Sequence, residues 1–293
     1  MITKPTIALI NLGCSKNLVD SEVVLGLLDA SGYKVGIDEE NADIVIVNTC
    51  SFISDAEEES VKVIMDLVAN QEDKKIIVIG CLAQKHGQVL LDEIPELSAV
   101  VGTSDIKNIV SIVEEVVKNP TKQYCELSSS LNFLQDDETK RFYITIGSSS
   151  YIKIAEGCDW RCTYCLIPDL KGSYRSRTIE SIVNEARALV ENGTTEIILI
   201  AQDTTSYGVD LYNTPSLSKL LREIEKIDDL QWVRLLYTYP GYINDELIDL
   251  IASSNKIVKY LDIPLQHIHP HILKLMKRPE IDIESLLSKV RDK

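Results

Sequence analysis

The sequence predicts an α/β protein that begins with a doubly wound parallel sheet and continues into an incomplete β/α barrel. Two observations carry this prediction. Short, almost continuously apolar runs alternate with amphipathic stretches in both halves of the chain, and a polar segment interrupts the alternation between them. Continuously apolar strands are typical of parallel sheets that helices cover on both faces. We therefore expect domains at residues 1–118 and 150–293, joined by a connector at 119–149.

The first half alternates four predicted strands with four predicted helices. We expect strands at residues 6–12, 43–48, 75–80 and 99–101, and helices at 18–30, 54–68, 83–91 and 105–117. Gly32 is placed to end the first helix, and Ser54 is placed to cap the second, whose first turn is acidic. The connector is polar and has room for a strand or hairpin.

The second half repeats the pattern. We expect strands at residues 151–155, 196–201, 231–237 and 257–263, and helices at 178–192, 216–226, 245–253 and 271–277. A further helix is expected to start near Ile283. Four strands are too few to close a barrel, so the pattern predicts that the chain stops within its second domain.

Composition narrows the function classes. The chain of 293 residues has no 18-residue apolar run, and its first residues lack the pattern of a signal peptide, which predicts a cytoplasmic protein without a membrane span. The net charge is −15, and the first 150 residues hold 12 Lys and Arg against 24 Asp and Glu. Such a surface suits a basic protein partner better than a nucleic-acid backbone, or it serves solubility alone.

Three cysteines close together point to metal chemistry. Cys158, Cys162 and Cys165 have the spacing C-x3-C-x2-C in a loop that follows a predicted strand. Three local thiolates leave one iron of a four-iron cluster open, and the amino and carboxylate groups of S-adenosylmethionine (SAM) can bind there. Tyr164 is placed to lie against the adenine. The alternative, a zinc site, needs a fourth ligand, and no other Cys or His lies nearby in sequence.

Three further cysteines share a position. Cys14, Cys50 and Cys81 each follow a predicted strand, and the carboxyl ends of parallel strands meet at one edge, where ligands bind. We expect these thiols to hold a second cluster, the alternative being buried structural cysteines. Cys125 follows no strand end, and we interpret it as incidental.

Other candidate residues follow later strands. We expect His267, His269 and His271 to line a polar cavity, metal binding being the alternative. The basic run at 171–177 either neutralises an anionic substrate or cofactor or forms a solvated loop. Five side chains at or near strand ends are candidate contacts of SAM or substrate: Gln202, Asp203, Arg234, Tyr237 and Gln266.

These segments resemble the radical SAM methylthiotransferase family, over essentially the whole chain. The similar motifs are LGCSKNLVDSE at 12–22, NTCSFI at 48–53, IGCLAQ at 79–84, KIAEGCDWRCTYCLIP at 153–168, LDIPLQH at 261–267 and LKLMKRP at 273–279. The resemblance implies a radical SAM partial barrel. It also implies a SAM-binding [4Fe–4S] cluster on Cys158, Cys162 and Cys165, and an auxiliary [4Fe–4S] cluster for sulfur delivery on Cys14, Cys50 and Cys81.

The motifs look most like the branch that modifies the β-carbon of an aspartate on the twelfth protein of the small ribosomal subunit. The resemblance implies a transferase that cleaves SAM to a 5′-deoxyadenosyl radical, inserts sulfur and adds a methyl group from a second SAM. An electron donor such as flavodoxin or ferredoxin is implied as a partner. Family members usually complete a six-stranded barrel and add a TRAM domain, so we expect this chain to be truncated.

Three alternative functions stay open at this point. The same family includes tRNA adenosine methylthiotransferases, which typically have a different residue pair after the first cysteine, and tRNA stays the main alternative substrate within the family. It also fits another radical SAM enzyme whose first three cysteines are structural, or a truncated cluster-binding protein without turnover.

Overall fold

The structure, a computed structural model, describes residues 4–70, 73–144 and 147–293. The chain divides into two compact units, the first comprising residues 1–133 and 138–144 and the second 134–137 and 145–293. The domain limits expected from the sequence stay a prediction, and residues 1–3, 71–72 and 145–146 within them lie outside the described ranges. Within those ranges, no helix combines the length and the apolar character needed to cross a bilayer.

The first unit is built on one parallel sheet of six strands. In chain order, its strands are β1 (Thr6–Asn11), β2 (Lys34–Gly36), β3 (Ile44–Thr49), β4 (Lys75–Gly80), β5 (Leu97–Val101) and β6 (Tyr124–Glu126). Their spatial order is β2-β1-β3-β4-β5-β6, and every pairing is parallel. The central strand β3 is buried along its whole length, as expected of a sheet with two covered faces.

Helices cover both faces of this sheet. They are α1 (Ser15–Ala30), α2 (Ser54–Asn70), α3 (Cys81–Glu93) and α4 (Ile109–Lys118). Ile44 and Ile46 of β3 pack with α1 and α4 in one core, whereas Val45 and Val47 pack with α2 and α3 in the other. Burial of each such side chain stabilises the fold by roughly 1.5–3 kcal/mol. The predicted doubly wound sheet is therefore confirmed.

The second unit is a smaller sheet with helices. Its strands are β7 (Ser149–Lys153), β8 (Ala155–Glu156), β9 (Arg175–Ser176), β10 (Glu196–Ile200) and β11 (Trp232–Leu235). Its helices are α5 (Ile167–Lys171), α6 (Ile179–Glu191), α7 (Val209–Tyr212), α8 (Leu217–Ile224), α9 (Asp245–Ser253), α10 (Pro270–Leu275) and α11 (Ile283–Arg291). A parallel sheet has the order β11-β10-β7, while β8 and β9 form an antiparallel pair. One apolar core joins β7, β10 and β11 to α6, α8 and α9.

The predicted strand at residues 257–263 is wrong. Only a single parallel bridge, Val233 to Ile257, forms there. The rest of the segment is fixed by Asp262, whose carboxylate accepts the backbone N–H of Tyr237 at 2.9 Å and whose carbonyl accepts that of Thr238 at 3.2 Å. Pro264 then follows without an N–H to donate, so a regular ladder does not develop.

The sequence also left several short strands unpredicted. β2 has three residues, and β8 and β9 have two each, which is too short for a periodic pattern. β6 lies inside the expected connector, at the position where a strand had room, and it extends the first sheet next to β5. Cys125 lies within β6 and is exposed.

Candidate metal centres and SAM site

Parallel topology brings Cys14, Cys50 and Cys81 to the same edge of the first sheet. They follow β1, β3 and β4, three neighbouring strands. Thr49 at the end of β3 is in register with Gly80 at the end of β4, so these strands stop at the same level. None of the three cysteines forms a disulfide, and Cys81 is buried, Cys50 half-buried and Cys14 exposed.

Two buried asparagines frame this edge. Asn17 donates from Nδ2 to Asn48 Oδ1 at 3.1 Å and to the carbonyl of Thr49 at 3.0 Å. Asn48 in turn donates from Nδ2 to the carbonyl of Asn17 at 2.8 Å and to Ser21 Oγ at 2.9 Å. The Sγ of Cys14 donates to Asn17 Oδ1 at 3.4 Å. The carboxamide pair therefore ties the loop after β1 to the loop after β3.

The third loop packs directly against this frame. Gly80 has a φ of +94°, and a Cβ there would lie 2.4 Å from Asn48 Oδ1 and 2.6 Å from the carbonyl of Thr49. Only glycine fits so close an approach in that backbone conformation. The loop after β3 is held from the other side by Ser60 Oγ, which accepts the backbone N–H of Cys50 at 3.2 Å.

One buried hydroxyl at this edge lacks a partner. Ser51, next to Cys50, is only 2% exposed, and its Oγ has no hydrogen-bond partner among the described residues. An unsatisfied buried hydroxyl costs about 1–3 kcal/mol. An inorganic sulfide is an acceptor that such a hydroxyl can donate to, so this position fits an iron–sulfur cluster on the three thiols.

Local chain geometry gathers the second trio, between β8 and α5. Cys158 donates its backbone N–H to the carbonyl of Gly172 at 3.1 Å, and Cys165 donates its own to that of Cys162 at 3.0 Å. Gly157 has a φ of +84°, and a Cβ there would lie 2.6 Å from the carbonyl of Gly172. The chain entering the loop therefore requires glycine at this position.

Two thiols of this loop, those of Cys158 and Cys165, are favoured in their protonated form. Burial raises the pKa of Cys158 to about 12, and the carboxylate of Asp203 adds to the shift. Burial likewise raises the pKa of Cys165. Because thiolates are the form that binds iron, loading this loop must release protons.

Both trios present thiols alone, the donor set typical of iron–sulfur clusters. Across residues 4–70, 73–144 and 147–293, no three His, Cys, Asp or Glu side chains converge closely enough to hold one metal ion. A cubane needs a different arrangement, because its thiolates bind separate irons and stand farther apart than the ligands of a single ion.

An aromatic and cationic group surrounds Cys162. Tyr239 Oη and Arg278 Nη1 each lie 3.9 Å from its Sγ. Trp160 stacks on Tyr239 with ring centroids 4.4 Å apart, and its Nε1 donates to Asp203 at 2.6 Å. Trp160, Tyr239 and Arg278 were not among the candidates from the sequence, although Trp160 and Arg278 lie within the similar motifs.

Among the predicted SAM contacts, Gln202 has the surroundings that best fit a ligand-binding side chain. It follows β10, its Nε2 donates to Glu156, and its Oε1 is buried without a hydrogen-bond partner among the described residues. Burial opposes the charge on Glu156, but Lys153 and Lys171 outweigh it and lower the pKa of Glu156 to about 2. An ionised Glu156 fixes the amide of Gln202, which leaves Oε1 to accept from an N–H donor of a bound ligand.

Two predicted SAM contacts have other partners. The carboxylate of Asp203 accepts hydrogen bonds from Trp160, Thr205 and Ser206. Arg234 lies within β11, and its Nε donates at 2.7 Å to Glu196, the first residue of β10. Asp203 therefore positions the cysteine loop, and Arg234 pairs toward the end of the sheet opposite the cysteines.

The remaining SAM candidates stay predictions. Tyr164 is half exposed, and its hydroxyl accepts a bond from Arg278 Nη1 at 3.0 Å. Tyr237 and Gln266 both adopt positive φ, at 63° and 66°, and Gln266 is exposed. Such backbone conformations are uncommon for residues other than glycine, and they are frequent at functional sites.

The expected histidine-lined cavity is wrong. His267, His269 and His271 are all exposed. The Nδ1 of His267 accepts the backbone N–H of His269 at 2.9 Å, and the Nδ1 of His269 accepts that of His271 at 3.2 Å. The rings of His267 and His269 therefore accept backbone N–H groups at and just before the start of α10.

Both interpretations of the basic run at 171–177 also need correction. Lys171 is 5% exposed and lies 3.9 Å from Glu156, and Arg177 is 3% exposed and pairs with Glu185. Arg175 donates to the carbonyl of Lys171 at 3.0 Å. These cations therefore hold the unit together internally, because a buried charge requires a partner.

Comparison with protein-family models divides the chain in the same way as its motifs. Residues 6–102 match the uncharacterized protein family UPF0004, and residues 152–292 match the radical SAM superfamily. The match to the radical SAM superfamily implies SAM and a [4Fe–4S] cluster as cofactors.

Curated relatives carry the name ribosomal protein uS12 methylthiotransferase RimO. The protein of Crocosphaera subtropica is 48% identical over 279 residues, which are 95% of this chain and 63% of the relative. That of Microcystis aeruginosa is 49% identical over the same shares. That of Citrifermentans bemidjiense is 46% identical over 294 residues, 99% of this chain and 65% of the relative. The chain thus spans less than two thirds of the relatives' length.

Solved structures show the same fold at low sequence identity. The radical SAM methyltransferase TsrM from Kitasatospora setae, solved with a [4Fe–4S] cluster and cobalamin, has a TM-score of 0.65 and is 16% identical over 99% of this chain and 65% of its own. The cobalamin-dependent SAM radical enzyme OxsB has a TM-score of 0.67 and is 13% identical over 98% of this chain and 47% of its own. At this identity the likeness concerns the fold alone.

Proposed function

From the premise that this chain belongs to the radical SAM methylthiotransferase family, in the branch of the RimO proteins, we propose that it methylthiolates an aspartate of ribosomal protein uS12. The observation that carries the proposal is the pairing of two all-thiol trios, one at the end of three parallel strands and one in a short loop. Sulfur insertion needs both a source of radicals and a place to hold sulfur. We assign the first role to the trio in the short loop and the second to the trio at the strand ends.

The second trio, Cys158, Cys162 and Cys165, is proposed to hold the cluster that binds SAM. When bound, that group supplies the electron that cleaves SAM. The chain's own part is binding and exclusion of water. Gln202 Oε1 accepts from an N–H of the SAM amino group, and the half-exposed ring of Tyr164 covers the adenine. The stacked rings of Trp160 and Tyr239 close one side of the loop against solvent.

The first trio, Cys14, Cys50 and Cys81, is proposed to hold the auxiliary cluster where sulfur is kept before transfer. The frame of Asn17 and Asn48 fixes the spacing of the loops that carry these thiols. The three loops start from adjacent strands of one sheet, so the spacing is as rigid as the sheet.

The proposed partners follow from charge and chemistry. The first 150 residues hold 24 Asp and Glu against 12 Lys and Arg, which complements a basic ribosomal protein. An electron donor such as flavodoxin or ferredoxin and a cytoplasmic location complete the proposal. A tRNA substrate would meet the same acidic surface unfavourably, because binding to phosphates relies on Lys and Arg.

A competition assay tests this function. The anaerobically reconstituted chain is incubated with SAM, a one-electron reductant and uS12, with and without excess tRNA, and uS12 is weighed by mass spectrometry. We expect 5′-deoxyadenosine, a methylthio mass increase on uS12 and no effect of tRNA. Modification of tRNA instead of uS12 would show that tRNA is the substrate. Cleavage of SAM without a mass change in either substrate would contradict methylthio transfer by this chain.

A further inference from the structure

Arg278 is a buried cation next to one of the proposed cluster ligands. It is 7% exposed, and its Nη1 lies 3.9 Å from Cys162 Sγ. Its Nη2 donates to the carbonyl of Pro264 at 2.6 Å, and its Cζ lies 4.3 Å from the ring centroid of Tyr239. The guanidinium is therefore held by a carbonyl and an aromatic face while one edge points at the sulfur.

The segment that ends at Arg278 forms hydrogen bonds with the same cysteine loop. The backbone N–H of Thr163, next to Cys162, donates to the carbonyl of Met276 at 3.1 Å. Arg278 Nη1 donates to Tyr164 Oη at 3.0 Å. Lys277 lies between them with a φ of 53°, an uncommon conformation for a residue other than glycine, which turns the chain so that both contacts form.

The charge of Arg278 is permanent. A guanidinium does not lose its proton in proteins, and its field is poorly screened where water is excluded. Hydrogen bonds and charges around the cysteine sulfurs are among the levers that set the reduction potential of an iron–sulfur cluster. A fixed cation 3.9 Å from a ligand sulfur favours the more negative, reduced state.

We propose that Arg278 is a positioning residue for Cys162 that raises the reduction potential of the cluster on the second trio. This inference rests on the proposed assignment of Cys162 as a cluster ligand. The step is the entry of one electron from an external one-electron donor of the flavin or iron–sulfur class. The donor is oxidised by one electron, the cluster becomes one unit more negative, and no bond or proton is exchanged. Arg278 stays protonated and stabilises the added charge.

The test is a redox titration of the full chain carrying both clusters. Midpoint potentials are measured with titanium(III) citrate and mediator dyes, following the electron paramagnetic resonance signal that changes on addition of SAM. The variants are Arg278→Gln, which removes the charge, and Arg278→Lys, which keeps it as a point charge. The control is Arg222→Gln, since the side chain of Arg222 is half exposed and donates to Glu246 at 2.6 Å.

Arg278→Gln is expected to lower the equilibrium constant for reduction by about tenfold, which is about 59 mV for a one-electron couple. Arg278→Lys is expected to lower it by about threefold, because an ammonium cannot contact Pro264, Tyr164 and the sulfur together. Arg222→Gln is expected to match the parent. Iron content is measured on each sample, so that a shifted potential is read only from fully loaded protein.

An unchanged potential in fully loaded Arg278→Gln would overturn the inference. If that variant does not fold, Arg278→Met, which also removes the charge, takes its place, and a parental potential in its fully loaded form would overturn the inference equally. A parent protein without any signal that responds to SAM would overturn the proposed function itself, whereas a parent with that signal and unshifted Arg278 variants would overturn this inference alone.

Discussion

The two cysteine trios are assembled in different ways. Cys14, Cys50 and Cys81 are far apart in sequence and meet because three parallel strands end at one edge. The second trio lies within a loop of eight residues and needs only that loop to fold. The first site is therefore a property of the whole sheet, and the second is a property of a local segment with its supporting contacts.

The surroundings of the trios differ as well. Neutral carboxamides and hydroxyls frame the first trio, with Asn17, Asn48 and Ser60 holding the backbone. Aromatic rings and a guanidinium surround the second, with Trp160, Tyr239 and Arg278 packed around Cys162. A neutral frame fixes geometry, whereas a charged one also changes the energy of an added electron.

The largest expected effect comes from Gly80→Ala, which changes the surroundings of the first trio only. The new Cβ would meet Asn48 Oδ1 at 2.4 Å, in a backbone conformation with φ of +94°. We expect a loss of about 2–4 kcal/mol in the free energy of unfolding, measured with urea on the apoprotein, and loss of iron from the first trio.

The matched control for that substitution is Gly32→Ala. Gly32 has a similar φ of +82°, but a Cβ there meets nothing within 4 Å. We expect Gly32→Ala to lower the free energy of unfolding by about 1 kcal/mol, because only the unfavourable backbone conformation contributes. If both variants lose the same stability and keep full iron, close packing of Gly80 on Asn48 has no role in the first site.

Next in size is Asn48→Ala, which removes the frame without adding bulk. It leaves Asn17 Nδ2 with the Thr49 carbonyl as its remaining partner and deprives Ser21 Oγ of a donor. The expected cost is about 2–3 kcal/mol in urea unfolding, with iron lost from the first trio and SAM cleavage retained.

Asn184→Ala is the comparison variant for Asn48→Ala. Asn184 is exposed and donates to Asp137 at 3.0 Å, so its loss is expected to change stability by less than about 0.5 kcal/mol. Equal iron loss in both variants would show that the carboxamide frame is not specific to the first site.

A smaller effect is expected from Trp160→Phe, which strikes the second site alone. The ring still stacks on Tyr239, but the 2.6 Å bond from Nε1 to the carboxylate of Asp203 is lost. We expect about 1.5–3 kcal/mol of destabilisation and a lower rate of 5′-deoxyadenosine formation, with iron on the first trio unchanged. Trp232→Phe, at a side chain that is 53% exposed, is the control and is expected to match the parent.

The smallest effect concerns the edge of the first sheet that carries no cysteine. Asp43 accepts the backbone N–H of Thr6 at 2.6 Å and its hydroxyl at 2.8 Å, and these bonds lower the pKa of Asp43. A lowered pKa means that the stabilisation is present above the unfolded-state pKa and is lost as pH falls through the folded one. We expect Asp43→Asn to remove less than about 1 kcal/mol at neutral pH.

The difference between Asp43→Asn and the parent should shrink as the pH of urea unfolding is lowered from 7 toward 3, roughly across the carboxyl range. Iron content of both trios should stay at the parental level. A stability difference that grows on acidification would contradict a lowered pKa of Asp43 in the folded protein.

Sequence reasoning succeeded where a regular period carried the information. Continuous apolar runs predicted the longer strands of both parallel sheets, and parallel topology then placed Cys14, Cys50 and Cys81 at one edge. Sequence reasoning failed where polar contacts between distant residues determine the structure. α1 buries Asn17 and Ser21, which has no signature in an amphipathic pattern.

The contacts of the second site show the same limit. Arg278 and Cys162 are 116 residues apart, and nothing in their local sequence indicates that they meet. The sequence left the basic run of Lys171 and Arg177 as either a solvated loop or a site for an anion, because its acidic partners Glu156 and Glu185 lie outside it. Residues 257–263 have the apolar content of a strand, but Asp262 and Pro264 divert the backbone.

Iron counting tests the central claim most directly. The parent, a Cys14→Ala/Cys50→Ala/Cys81→Ala variant and a Cys158→Ala/Cys162→Ala/Cys165→Ala variant are reconstituted anaerobically, and iron per chain is measured. Two independent sites predict about eight irons in the parent and about four in each variant, with SAM cleavage retained only when the second trio is intact. About four irons in both the parent and the first variant would contradict an auxiliary cluster, and with it sulfur insertion by this chain.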